Sequence, residues 1–142
     1  MAEVLTGHCL CGAVTIRAEM HPDGIGACHC RMCQRWSGSV FASFPGERVA
    51  VEGPVTRYGS SEFSERAFCT VCGSHLWMRD YDDPEGHYDL MPGLFDEAAS
   101  WPLRREIYVD QAMTSMTLTV AERRATAAEY EQKNAHVQGA EP

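Results

Sequence analysis

The chain has 142 residues, 44% of them hydrophobic, and a formal net charge of −8 with histidine neutral. That length suits one domain with a real core rather than two, and the acidic balance speaks against nucleic-acid binding by bulk electrostatics. Charge or glycine interrupts every long apolar stretch, and Met1-Ala2-Glu3 has no basic region leading into an apolar segment. A soluble, cytoplasmic protein with no membrane span is therefore expected. Residues 1–135 read as a single domain and 136–142 as a flexible C-terminal tail.

In chain order, Val14 and Ile16 alternate with Thr15 and Arg17 as in a strand, ending at the turn His21-Pro22-Asp23-Gly24. Further strands are predicted over Ser39–Phe44, Arg48–Val51, Val55–Tyr58, Glu62–Phe68 and His75–Arg79, punctuated by Pro45-Gly46, Gly53-Pro54 and Cys72-Gly73. A turn over Asp80–Gly86 leads to strands at His87–Met91 and Glu106–Val109, with one helical turn at Asp96–Ser100 between them. Thr119-x-x-Glu122 and Thr126-x-x-Glu129 both fit a capping box, and Glu129 with Lys133 makes an i, i+4 pair, which predicts a short C-terminal helix that frays after Asn134. The fold class is mainly β.

Seven cysteines fall into three groups: Cys9 and Cys11; Cys28, Cys30 and Cys33; Cys69 and Cys72. The odd count and short gaps argue against a disulfide framework and for metal ligands or redox groups. Cys69-Thr70-Val71-Cys72-Gly73 reads as a zinc knuckle, whose turn aims backbone N–H groups at sulfur while glycine permits a positive φ. It needs two more ligands, and Cys9 with Cys11 or part of the middle group could supply them. If Cys9 and Cys11 lie on an extended strand, both sulfurs leave the same face as a two-point clamp suited to a knuckle.

The middle group would then be a three-thiolate site, either open or closed by His8, His29 or His75, of which His29 points away if Cys28–Cys30 is extended. An iron–sulfur cluster would need a fourth ligand and matches neither ferredoxin spacing. Three thiolates on Zn²⁺ leave a net charge of about −1, a weak Lewis acid better suited to presenting a thiolate than to activating water. Arg31 and Arg35 could offset the charge of a fourth thiolate. Two Zn²⁺ on seven thiolates would bring the net charge to about −11.

The segments Gly7-His8-Cys9-Leu10-Cys11-Gly12, Cys28-His29-Cys30-Arg31-Met32-Cys33-Gln34-Arg35-Trp36-Ser37-Gly38 and Phe68-Cys69-Thr70-Val71-Cys72-Gly73-Ser74-His75-Leu76-Trp77 resemble the glutathione-dependent formaldehyde-activating family, which includes centromere protein V. The resemblance runs from about Gly7 to Asp110 and includes Ile107-Tyr108-Val109-Asp110. It implies zinc-stabilised small β-sheets similar to the Mss4-like, or β-tent, fold. It also implies that Cys9, Cys11, Cys69 and Cys72 hold a structural zinc and that Cys28, Cys30 and Cys33 hold a catalytic one. The implied activity is that of a carbon–sulfur lyase, adding glutathione reversibly to formaldehyde or another small carbonyl electrophile. A zinc-stabilised binding or scaffold protein and a thiol redox sensor are the competing readings. Trp36, Trp77, Phe44 and Phe68 read as core around the metal sites, His75 as a hydrogen-bonded core histidine, and Arg57, Arg66, Arg104 and Arg105 as surface charge or an anion-attracting rim.

Overall fold

The computed structural model describes residues 3–20, 24–83, 86–118 and 120–137. Its strands are β1 (Val4–His8), β2 (Thr15–Met20), β3 (Ile25–Cys28), β4 (Phe41–Glu52), β5 (Val55–Gly59), β6 (Ser64–Cys69), β7 (His75–Asp80), β8 (Tyr88–Leu90), β9 (Leu103–Ile107) and β10 (Arg123–Ala125). The helices are α1 (Arg31–Ser37) and α2 (Ala127–Lys133), and short 3₁₀ turns include Asp96–Ser100. The chain is mainly β, as predicted, and divides into two compact units. The first comprises Met1–Gly24 with Ser43–Trp101, and the second Ile25–Ala42 with Pro102–Pro142.

In the first unit the pairing is antiparallel throughout: β1 with β2, β2 with β4, β4 with β8, then β8–β7–β6–β5 in order. Alternation along each strand sends one face inward, and Leu5, Val14, Ile16, Ala18, Phe44, Ala67, Leu76, Trp77, Leu90 and Phe95 form its core. Phe44 meets the rings of Phe95 and Trp101 edge-on, with centroids 5.3 and 5.0 Å apart. Trp36 and Phe68, grouped with these residues on sequence, are only half-buried.

Two predicted strands prove to be one. Pro45-Gly46 reads as a break, yet β4 runs through it, because the strand changes partner there: Phe44–Gly46 face β8 and Gly46–Glu52 face β2. A Cβ at Gly46 would lie 2.4 Å from Leu90 Cδ1 and 3.2 Å from Leu90 Cγ, so the buried Leu90 side chain would have to shift to admit one. Beyond it a bulge leaves Arg48 in the left-handed region at φ 49°, its guanidinium gripping both oxygens of Glu19 at 2.9 and 3.0 Å.

In the second unit β3, β9 and β10 run parallel, β9 in the middle. The predicted strand at Glu106–Val109 begins and ends earlier, at Leu103–Ile107, because Tyr108 takes the left-handed conformation at φ 57°. β3 and α1 carry no strong period in sequence and were not anticipated. The Thr126–Glu129 capping box forms and opens α2. Thr119 lies outside the described residues, and Glu122 is followed by β10 rather than by a helix. Of the turn at His21–Gly24 only Gly24 is described, and Pro84 lies outside the described residues in the turn at Asp80–Gly86. Ala135–Val137 form a 3₁₀ turn after α2, and residues 138–142 lie outside the described residues.

Phe44→Ala removes the ring that both Phe95 and Trp101 pack against and is expected to cost about 3–5 kcal/mol. A urea midpoint close to wild type would show that this ring cluster does not hold the first unit together.

Candidate functional site

Cys9, Cys11, Gly12 and Val14 form a tight turn between β1 and β2, closed by Cys9 N–H to Val14 O and Gly12 N–H to Cys9 O, both 3.1 Å. The pair is therefore a second knuckle and not the extended clamp expected from its spacing. The Val14 and Ala13 N–H groups point to Cys9 Sγ and Cys11 Sγ at 3.3 and 3.5 Å. The other knuckle lies between β6 and β7, with Cys72 N–H 3.4 Å from Cys69 Sγ and Gly73 at φ +79°, as its sequence predicts.

These two turns bring four sulfurs together, all within 4.8 Å of one another. Cys9 and Cys69 are fully buried within the first core, whereas Cys11 is exposed. Hydrogen bonds, desolvation and the neighbouring sulfurs shift these thiols in opposite directions. The Ser74 hydroxyl, 3.1 Å from Cys72 Sγ, and then the Ser74 and Cys11 N–H groups draw Cys72 down to about 5 against desolvation. The Ala13 N–H lowers Cys11, but desolvation and the sulfurs of Cys9, Cys72 and Cys69 outweigh it and push Cys11 up to about 12. Ser74 Oγ also accepts the Leu10 N–H at 3.1 Å, so one hydroxyl bridges the knuckles. Sequence reading passed over Ser74; a hydroxyl two residues beyond the second cysteine was the available signal.

In the second unit Cys28 closes β3, Cys30 caps α1 and Cys33 sits in its first turn, with the Cys33 N–H 3.4 Å from Cys30 Sγ. The three sulfurs lie within 4.8 Å of one another, and the thiols of Cys30 and Cys33, then burial, hold Cys28 well above the usual thiol range. Neither sulfur set contains a histidine or a carboxylate among the described residues. His8 Nδ1 bonds the Cys9 carbonyl at 2.8 Å, and half-buried His75 is lowered by burial and by the Arg66 charge. His29 is turned to Glu106, its Nε2 2.7 Å from Oε1 with both side chains 1% exposed.

Tyr108 lies against α2, its hydroxyl donating to Glu131 at 3.3 Å, and is kept protonated by desolvation and then by the charges of Glu131, Cys30 and Cys28. Of the predicted arginine rim, Arg57 pairs with Glu65 at 3.6 Å and Arg104 with Glu122 at 2.6 Å. Arg66 is buried at 1% exposure, contrary to either surface reading.

The donor chemistry fits soft, thiophilic ions in both places: an all-sulfur set of four, and a set of three. The family model for glutathione-dependent formaldehyde-activating enzymes matches residues 4–111, which include all seven cysteines. The chain belongs to this family.

An uncharacterized lyase of Schizosaccharomyces pombe is 30% identical over 107 residues, covering 73% of this chain and 77% of that protein. A Halomonas elongata protein, provisionally named a glutathione-dependent formaldehyde-activating enzyme, is 32% identical over 94 residues, 58% of this chain and 60% of its own length. A crystal structure of a Rhodobacter sphaeroides protein shares the fold, with a TM-score of 0.54 at 24% identity over 65% of this chain and 88% of that one. Family membership thus places the chain among lyase-type enzymes. No helix among the described residues is long and apolar enough to cross a membrane.

If each sulfur set binds one zinc, Cys30→Ser is expected to lose one equivalent while remaining folded, whereas Cys69→Ser is expected to lower thermal stability markedly, because a metal that cross-links two turns contributes folding energy. Metal analysis with circular dichroism reads both. Loss of all metal from Cys30→Ser would mean that the two sets do not bind independently.

Proposed function

We propose that this family member is a zinc-dependent carbon–sulfur lyase that joins or releases a small carbonyl electrophile and a thiol, with formaldehyde and glutathione as the substrate pair suggested by the family. The observation that carries this reading is the three-sulfur set of Cys28, Cys30 and Cys33, which offers one protein donor fewer than the four-sulfur set. In this reading Cys9, Cys11, Cys69 and Cys72 hold a structural zinc, and Cys28, Cys30 and Cys33 the working one. A Zn²⁺ bound by three cysteines would supply a soft coordination position at which an exogenous thiol loses its proton.

The addition forms one carbon–sulfur bond, moves the carbonyl π pair onto oxygen, and transfers the thiol proton to that oxygen; release is the reverse. The chain's part is to hold and to orient. β3 and α1 present the three sulfurs from two directions, and the Cys33 N–H donates to the Cys30 sulfur. Gln34 fastens the segment by donating to the carbonyls of His29 and Gln111 at 2.6 and 2.9 Å. Tyr108, kept as a neutral phenol, adds no negative charge beside them.

In the cobalt-substituted protein, glutathione is expected to change the visible ligand-field bands, and Cys30→Ser to abolish that response. The metal-loaded protein should also accelerate exchange between glutathione and formaldehyde, measured by NMR at several pH values. Bands indifferent to glutathione, with exchange no faster than without protein, would favour a zinc-stabilised binding protein instead.

A further inference from the structure

Glu106 lies next to the last residue of β9 with its carboxylate 1% exposed and both oxygens engaged: Oε1 is 2.7 Å from His29 Nε2, and Oε2 accepts from Arg124 Nε at 3.0 Å. His29 is equally buried, while Arg124, on β10, is 42% exposed and also donates to the Leu118 carbonyl at 3.3 Å. A buried carboxylate is costly to desolvate, and an apolar residue of similar volume would often serve a core as well. Its presence is better explained by what it orders.

What it orders is the residue between two candidate ligands. The His29 N–H donates to Ile107 O at 3.1 Å, its carbonyl accepts from Gln34 Nε2 at 2.6 Å, and its ring is held by Glu106. The peptide units leading to Cys28 and to Cys30 are therefore fixed from three directions. Gln34 and Ile107 hold the main chain, Glu106 holds the side chain, and Arg124 aims Glu106.

We propose that Arg124, Glu106 and His29 form a strut that sets the spacing of the Cys28 and Cys30 sulfurs, making Glu106 and Arg124 positioning residues for the three-sulfur site. The inference rests on the reading of that site as a metal centre. Arg124 lies beyond the stretch matched by the family model, residues 4–111, so this part of the strut belongs to the chain's own C-terminal segment.

The test follows zinc release to a chromophoric chelator from wild type, Arg124→Ala, Arg124→Lys and Glu106→Gln, with Cys30→Ser identifying the phase that belongs to the four-sulfur set. Arg124→Ala and Glu106→Gln are expected to speed release from the three-sulfur site about 10- to 100-fold. The four-sulfur phase should stay unchanged as an internal control, and Arg124→Lys should recover part of the loss. In the cobalt forms, the charge-transfer bands lost in Cys30→Ser should be the only ones to shift.

Equal release rates in wild type and both loss variants would overturn the strut while leaving the metal-site reading intact. A wild type that retains a single equivalent of metal would overturn both. Acceleration of both phases together, without recovery by lysine, would reduce the strut to general stability and overturn it as a positioning device. Should Glu106→Gln fail to fold, Arg124→Ala decides, because its side chain is substantially exposed.

Discussion

Sulfur atoms held close enough to share one cation are the constraint around which this chain is built. Within the four-sulfur set, Cys9 and Cys11 are 3.6 Å apart and Cys11 and Cys69 are 3.8 Å apart, distances at which several thiolates repel one another strongly. Hydrogen bonds from Ser74 draw Cys72 down to about 5, while desolvation and then the neighbouring sulfurs push Cys11 up to about 12. A divalent cation bound there would offset that repulsion and cross-link two hairpin turns distant in sequence. Because Cys9 and Cys69 are themselves fully buried among Leu5, Val14, Leu76 and Trp77, the four-sulfur set and the hydrophobic core of the first unit are one structure.

The three-sulfur set solves a different problem. Here the donors come from the end of a parallel strand, from a cap and from the first turn of a seven-residue helix, and the surroundings are polar rather than apolar. His29, Glu106, Gln34 and Arg124 make a hydrogen-bonded frame in which both Glu106 oxygens and the His29 main chain are satisfied. Such a frame adds little net stability, since its desolvation cost offsets its bonds, but it narrows the positions open to the sulfurs. That division suits one set to fastening the fold and the other to presenting ligands.

Much of this was legible in the cysteine spacing, because short gaps limit how far sulfurs can separate whatever the rest of the chain does. Gly73 after Cys72 foretold the positive φ of a knuckle, and Thr126 with Glu129 foretold the start of α2, since both signals are local. Local reasoning failed where tertiary pairing took over. Pro45-Gly46 looks like a stop, but β4 needs no donor from Pro45 at the point where it exchanges β8 for β2. Cys9-Leu10-Cys11 looks extended, but the bonds to Val14 and from Gly12 fold it into a turn. β3, β9 and β10 are parallel, so their partners lie far along the chain and no hairpin turn announces them. Glu106 was visible only as a strand residue, because nothing in its neighbourhood in sequence shows that His29 waits 77 positions away.

The family match covers residues 4–111 and every cysteine, so it takes in both sulfur sets but not the segment beyond position 111. Beyond position 111 the second unit gains Arg124 on Glu106, Glu131 on Tyr108, and the Ala127 N–H on the Asp110 carboxylate at 2.6 Å. Each of these contacts ends on β9 or on the turn that follows it, and β9 pairs in register with Ala27 and Cys28 through Glu106 and Ile107. Ligand identity is thus carried by the shared stretch, while ligand placement depends on β9 and on the segment fastened to it. Two members with the same seven cysteines can then differ in how firmly the three-sulfur set is held. That difference arises from residues a cysteine motif does not contain.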